Sequence, residues 1–275
     1  MAVGKAEKAA YNDEIKDIKR EVDHINKSIN EAFGKKKKHP PIANYYNLEL
    51  ANFEMDAIEN FLKMNDLSVE MLSIKNSNFL ETARKGFYRV LQYMEEIVSD
   101  DLDHSLNEND DYLATIDRLN PRQILDFIKR IHRILNNLKN RFGQDSKWKW
   151  SFVELQARLA VILKNIISFS DIAKLRDPRV EFFDDRRDLM QLCKKYLTEA
   201  AKQYRTKYEM AGKAREDLKK SIDFLSVLRK IHALFGEDVE ATKLKNIIDA
   251  TKMTLEAEDK SKDKEKKDKD RDIKK

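Results

Sequence analysis

Apolar residues recur at alternating steps of three and four along much of this chain. The first stripe is Tyr11, Ile15, Ile18, Val22, Ile25, Ile29 and Ala32. A second runs Met190, Cys193, Leu197, Ala201, Tyr204, Tyr208 and Ala211, passes Arg215, and resumes at Leu218, Ile222 and Leu225. This spacing holds apolar side chains on one seam of a helix, and a seam in water needs a second helix to cover it. Period-two alternation does not extend over any useful length. The pattern predicts an all-α protein, a multi-helix bundle with long coiled-coil-like helices and no sheet.

The stripes and their stops divide the chain. A heptad helix occupies 1–34, with Gly34 as its C-terminal cap. Residues 35–43 form a basic linker, Lys35 to Lys38 followed by His39, Pro40 and Pro41, because two prolines cannot continue a helix. A helical bundle follows over 44–178. Its first helix, 44–64, is apolar on two sides and belongs inside the bundle. The next, 79–98, opens on a capping box of Asn78 and Glu81 and carries Gly86 at its middle. Asn120 and Pro121 open a helix that Gly143 closes. Ser151 and Glu154 form a second capping box, with Trp150 stapled onto Leu155. The segment behind it, 152–167, is the most apolar and predicts the centre of the core. Residues 179–257 read as one long heptad helix to Phe235, with a candidate kink at Gly212, then a last helix. The tail, 258–275, is too charged to bury a face and is expected to be disordered.

Composition agrees with long helices: 37% of the 275 residues are charged, against only 6 Gly and 4 Pro. The net charge of +5 does not describe the body. Residues 1–39 carry ten Lys/Arg against seven Asp/Glu, and residues 260–275 nine against five, so the excess lies at the two ends. There is no apolar leader-like stretch near Met1, and no apolar run reaches the roughly 20 residues of a membrane span. The expectation is a soluble, cytoplasmic protein. The single cysteine, Cys193, lies on the second seam and reads as a buried small hydrophobe.

No phosphate loop, dinucleotide glycine pattern, nucleophile elbow or Cys-x-x-Cys pair is present. Glu21 and His24 match one Glu-x-x-His piece of a di-iron bundle, but no second copy exists and both lie off the apolar seam. Asp101, Asp103 and Ser105 resemble the start of a calcium loop. An EF-hand requires Gly and Glu where this chain has Leu106 and Tyr112. No cofactor, metal or small-molecule substrate is inferred.

Charge is polarised in the middle of the chain. Residues 95–117 hold nine carboxylates and no Lys or Arg, while 118–149 hold nine Lys/Arg against Asp126 and Asp145. The first reading is that the two segments neutralise each other across a helix pair. The uncovered seam of helix one, together with this polarity, leads to the expected function, which is non-enzymatic: a structural or adaptor protein that assembles with a protein partner or with itself. Its partner-binding face would be the helix-one seam Ile15, Ile18, Val22, Ile25 and Ile29. The alternative is nucleic-acid association through 129–150 and the lysine-rich ends. Arg130, Arg133, Lys147 and Lys149 would meet phosphates, and Trp148 would stack on bases. A membrane-surface role for Lys35 to Lys38 is disfavoured, because the stripe of helix one is narrow and lacks an aromatic face.

Overall fold

A computed structural model describes residues 4–272, with side chains to residue 257. The described residues form eleven α-helices and two short 3-10 turns, with no strand. The chain divides into two compact units, Met1–Met190 and Gln191–Lys275.

In the first unit, α1 (Lys5–Glu14) and α2 (Lys16–Lys38) precede α3 (Ala43–Leu72) and α4 (Ser77–Val98). A crossover holding the short α5 (Asn109–Leu113) leads to α6 (Pro121–Phe142), α7 (Lys149–Asn165) and α8 (Phe169–Lys174). Side-chain pairs give the directions. Glu54 meets Arg89 and Phe61 meets Phe79, so α3 and α4 run antiparallel. Arg130 meets Asp56 and Arg141 meets Asp66, so α3 and α6 run parallel. Phe142 packs on Phe152 and Lys139 reaches Gln156, so α6 and α7 run antiparallel. These four helices make a bundle whose core includes Leu50, Met55, Phe87, Leu91, Ile131, Leu155, Leu159 and Ile162, all essentially inaccessible. Residues 152–167 do lie in that core, as their composition predicts. The crossover is pinned from behind by amides. Asn165 donates to the carbonyls of Ser99 and Asp101, both at 3.1 Å, and Asn109 donates to those of Lys164 (2.8 Å) and Ile167 (2.9 Å).

In the second unit the C-terminal part of α9 (Phe183–Met210), α10 (Arg215–Leu234) and α11 (Asp238–Asp272) form an antiparallel trio. Tyr204 stacks with Phe224, and the hydroxyl of Ser221 donates to the carbonyl of Ala201 at 2.8 Å.

Several expected boundaries move. Helix one is two helices, broken at Ile15, and α2 continues through Gly34 to Lys38. Four lysines in the last turn suit the negative end of the helix dipole, and the stop comes from the prolines rather than from Gly34. Asn76, not Asn78, caps α4 by accepting from the Phe79 amide. The Asn120 cap, the Pro121 start and the Gly143 stop of α6 stand as read. The long heptad helix is interrupted. Gly212 (φ 87°) and Lys213 (φ 54°) take the left-handed conformation, and the Lys213 amide closes onto the Tyr208 carbonyl at 3.1 Å. Beyond the break α10 folds back on α9, so Leu218, Ile222 and Leu225 are buried in the same trio as Leu197, Ala201 and Tyr204 and do not continue one helix. The backbone of α11 is helical as far as Asp272, past the point where the tail was expected to lose order.

Candidate functional site

The helix-one seam is covered from within the chain. Ile15, Ile18, Val22 and Ile25 are buried and Ile29 half-buried. Tyr11, Ile15, Ile18 and Val22 cluster with Met64, with Phe61, Leu67, Met71, Leu72 and Phe79 packed around them. The Tyr11 hydroxyl donates to the Met64 carbonyl at 3.1 Å. The cover is α3, brought alongside by the short turn at Pro40–Ile42. A seam closed in this way offers no exposed apolar face.

The basic residues of α6 are taken up by an acidic ridge on α3. Arg130 donates to Asn52 (3.2 Å), Asp56 (2.5 Å) and Glu59 (2.7 Å), and Arg133 reaches Glu59 at 3.4 Å. Burial works against the charge of Arg130, but the hydrogen bonds it donates to Glu59 and Asp56 outweigh it and raise its pKa further. Arg141 pairs with Asp66, its Nε at 2.8 Å. The acidic segment pairs elsewhere. Glu95 takes a two-pronged bond from Arg158 of α7, Glu96 takes Lys36 of α2, and Asp117 accepts from the Tyr45 hydroxyl at 2.7 Å. The two charge blocks are thus matched to other helices rather than to each other.

Lys147, Trp148 and Lys149 sit at the start of α7, where they meet a residue that sequence reasoning passed over. Arg84 of α4 is 8% exposed, and its guanidinium lies 3.7 Å from the centre of the Trp148 ring and 5.6 Å from that of Tyr88. Its Nη1 donates to Ser151 Oγ at 3.3 Å, and Tyr88 Oη lies 2.9 Å from the same oxygen. The expected capping box does not form. The N-cap position of α7 is Trp148, whose own amide donates to Ser146 Oγ at 3.2 Å, and the Lys149 amide donates to the Ser146 carbonyl at 2.9 Å. Lys147 approaches Glu81 at 3.6 Å, and Lys149 lies over the Trp150 ring at 5.0 Å. The structure therefore brings together Lys147, Trp148 and Lys149, leaves Arg130 and Arg133 on the α3 ridge, and adds Arg84, Tyr88 and Ser151. Arg84 and Trp148 are far apart in sequence and lie on different helices, so no local pattern marks their contact.

In the second unit α11 buries Ile248, Thr251 and Leu255 and half-buries Leu244. Its other side exposes Val239 (68%), Ile247 (44%) and Met253 (69%). At about 100° per residue these three fall within one sector of the helix, with Lys243, Asn246 and Ala250 among them. The last helix was expected, but its second apolar face was not, because its residues are too widely spaced to make a stripe.

Among the described residues no helix is long and apolar enough to cross a membrane. The chain matches the model of the TP0443 family over residues 7–259, and it belongs to that family. No curated protein and no solved structure matches it.

Proposed function

We propose that this member of the TP0443 family is a non-enzymatic assembly protein that pairs with a second copy of itself along α11. The observation that carries the reading is the mirrored placement of the exposed residues on that helix. Val239 and Met253 stand equally far from Asn246, one on each side. Two copies of α11 laid antiparallel about Asn246 set Val239 of one copy level with Met253 of the other, and bring both Ile247 side chains near the two-fold axis. The same operation sets Lys243 level with Asp249, and Glu240 level with Lys252, so like charges do not meet at one height. A two-fold contact needs this kind of self-complementary patch. The apolar positions are few, which suits a contact that forms and dissolves with concentration.

Light scattering of the full chain over a dilution series tests the reading. Wild type should move from dimer towards monomer on dilution. The double variant Ile247→Asp and Met253→Asp should be monomeric throughout, with unchanged helicity, since both side chains are exposed. A wild type that is monomeric at every concentration, or a variant that still dimerises, overturns it.

A further inference from the structure

We infer that the first turn of α7 is a binding site for a phosphate group, held by Arg84. The inference starts from a charge without a counter-charge. Arg84 is more than nine-tenths buried, and among the described residues no carboxylate lies within ion-pair distance of it. Its Nε has no hydrogen-bond partner. The acidic groups nearby are engaged by other cations: Glu81 by Lys147, and Glu95 by Arg158 through bonds of 2.6 Å. The faces of Trp148 and Tyr88 hold the guanidinium in place, and such contacts attract a cation without neutralising it. A buried charge is expensive unless paired, and guanidinium does not shed its proton.

The second observation is where this cation has been put. The start of a helix carries partial positive charge from its unsatisfied amides, so a cation is the wrong guest there. In α7 Ser146 takes the Trp148 amide with its Oγ at 3.2 Å and the Lys149 amide with its carbonyl at 2.9 Å, and the Phe152 amide bonds to the Trp148 carbonyl, which leaves the amides of Trp150 and Ser151 open among the described residues. The two open amides and the guanidinium without a counter-charge converge on Ser151, the third residue of the helix, whose hydroxyl already contacts both Arg84 and Tyr88. Each feature alone is a fault in the fold, and one anion placed between them corrects both. Phosphate fits this donor set. It accepts the forked N–H pair of an arginine, the amides of a helix start and neighbouring hydroxyls together. Lys147 and Lys149 flank the turn and would draw such an anion in.

The probe is inorganic phosphate added to the full chain in phosphate-free and sulfate-free buffer at constant ionic strength. Trp150→Phe leaves Trp148 as the reporter, because the chain has 2 Trp. The expected result is a saturable change in Trp148 fluorescence and a rise in Tm with phosphate. Arg84→Met should abolish both, and without phosphate it should melt no lower than wild type, because it removes an unpaired charge. Ser151→Ala, which keeps the arginine, should weaken phosphate binding roughly tenfold. The site is overturned if wild type shows no saturable response, or if Arg84→Met melts well below wild type in phosphate-free buffer. The second result would mean that the aromatic and hydroxyl contacts already satisfy Arg84. A response to single-stranded oligonucleotide with none to inorganic phosphate also overturns it, and would return the segment to the nucleic-acid reading.

Discussion

Glu54 of α3 is buried at 3% exposure, and Arg89 of α4 donates two hydrogen bonds into its carboxylate, the one from Nη2 at 2.8 Å. Donating to the Glu54 carboxylate raises the pKa of Arg89 against the effect of burial. The pair sits where α3 and α4 come close, beside Gly86 and Ile58. Removing one partner strands the other. Arg89→Met should cost about 2 kcal/mol, because it leaves a buried carboxylate unsatisfied. Glu54→Leu added to Arg89→Met should recover most of that loss. Urea unfolding of wild type, single and double variants reads both numbers, and a double variant as unstable as the single one would contradict the account.

Two glycines inside helices should respond to alanine in opposite ways. A Cβ on Gly86 would lie 3.0 Å from Ile58 Cγ1 and 3.4 Å from Glu54 Oε2. Ile58 is fully buried and Glu54 is held by Arg89, so neither can give way cheaply. A Cβ on Gly34 meets nothing within 4 Å. Gly34→Ala should stabilise α2 by up to about 1 kcal/mol through helix propensity, while Gly86→Ala should lower the Tm despite the same gain. Equal stabilisation by both would show that the α3–α4 crossing is not tight at Gly86.

In the second unit Glu237 joins α9 to the α10–α11 turn. Lys194 donates to both its oxygens, at 2.7 and 2.6 Å, and the Nδ1 of His232 also contacts it. Burial opposes the carboxylate charge, but the hydrogen bonds from Lys194 and His232 prevail and hold its pKa below the usual value. A depressed folded pKa stabilises at pH values above the unfolded one, about 4.3, and that stabilisation is lost as pH falls through the folded value. Glu237→Gln should therefore be less stable than wild type near neutrality, by under about 1 kcal/mol because the side chain is 41% exposed. The gap should close in acid. Thermal melts of both proteins from neutral pH down to pH 3 check this, and a gap that widens in acid would refute it.

The all-helical fold was legible because apolar spacing and scarce Gly and Pro leave no other architecture. The α6 boundaries were legible because Asn120, Pro121 and Gly143 act locally. What covers a seam was not, since a stripe such as Ile15, Ile18 and Val22 marks a buried face without naming its neighbour. The charge blocks misled for the same reason. The excess carboxylates of 95–117 and the cations of 118–149 are both real, but Asp56 and Glu59 of α3 lie in neither segment and take Arg130. At α7 the expected box of Ser151 and Glu154 does not form, because the helix begins earlier, at Lys149, which puts Ser151 inside its first turn with its hydroxyl on Arg84 and Tyr88.

The central claim is that two copies meet antiparallel across Asn246 of α11. Asn246→Cys places a thiol at the two-fold axis of that pairing, while the natural Cys193 is buried. Under mild oxidation the Asn246→Cys chain should form a disulfide-linked dimer in high yield, and Val239→Cys, displaced from the axis, should not. Crosslinking of Val239→Cys with none at Asn246→Cys would contradict the antiparallel register, and crosslinking of neither would contradict the α11 pairing itself.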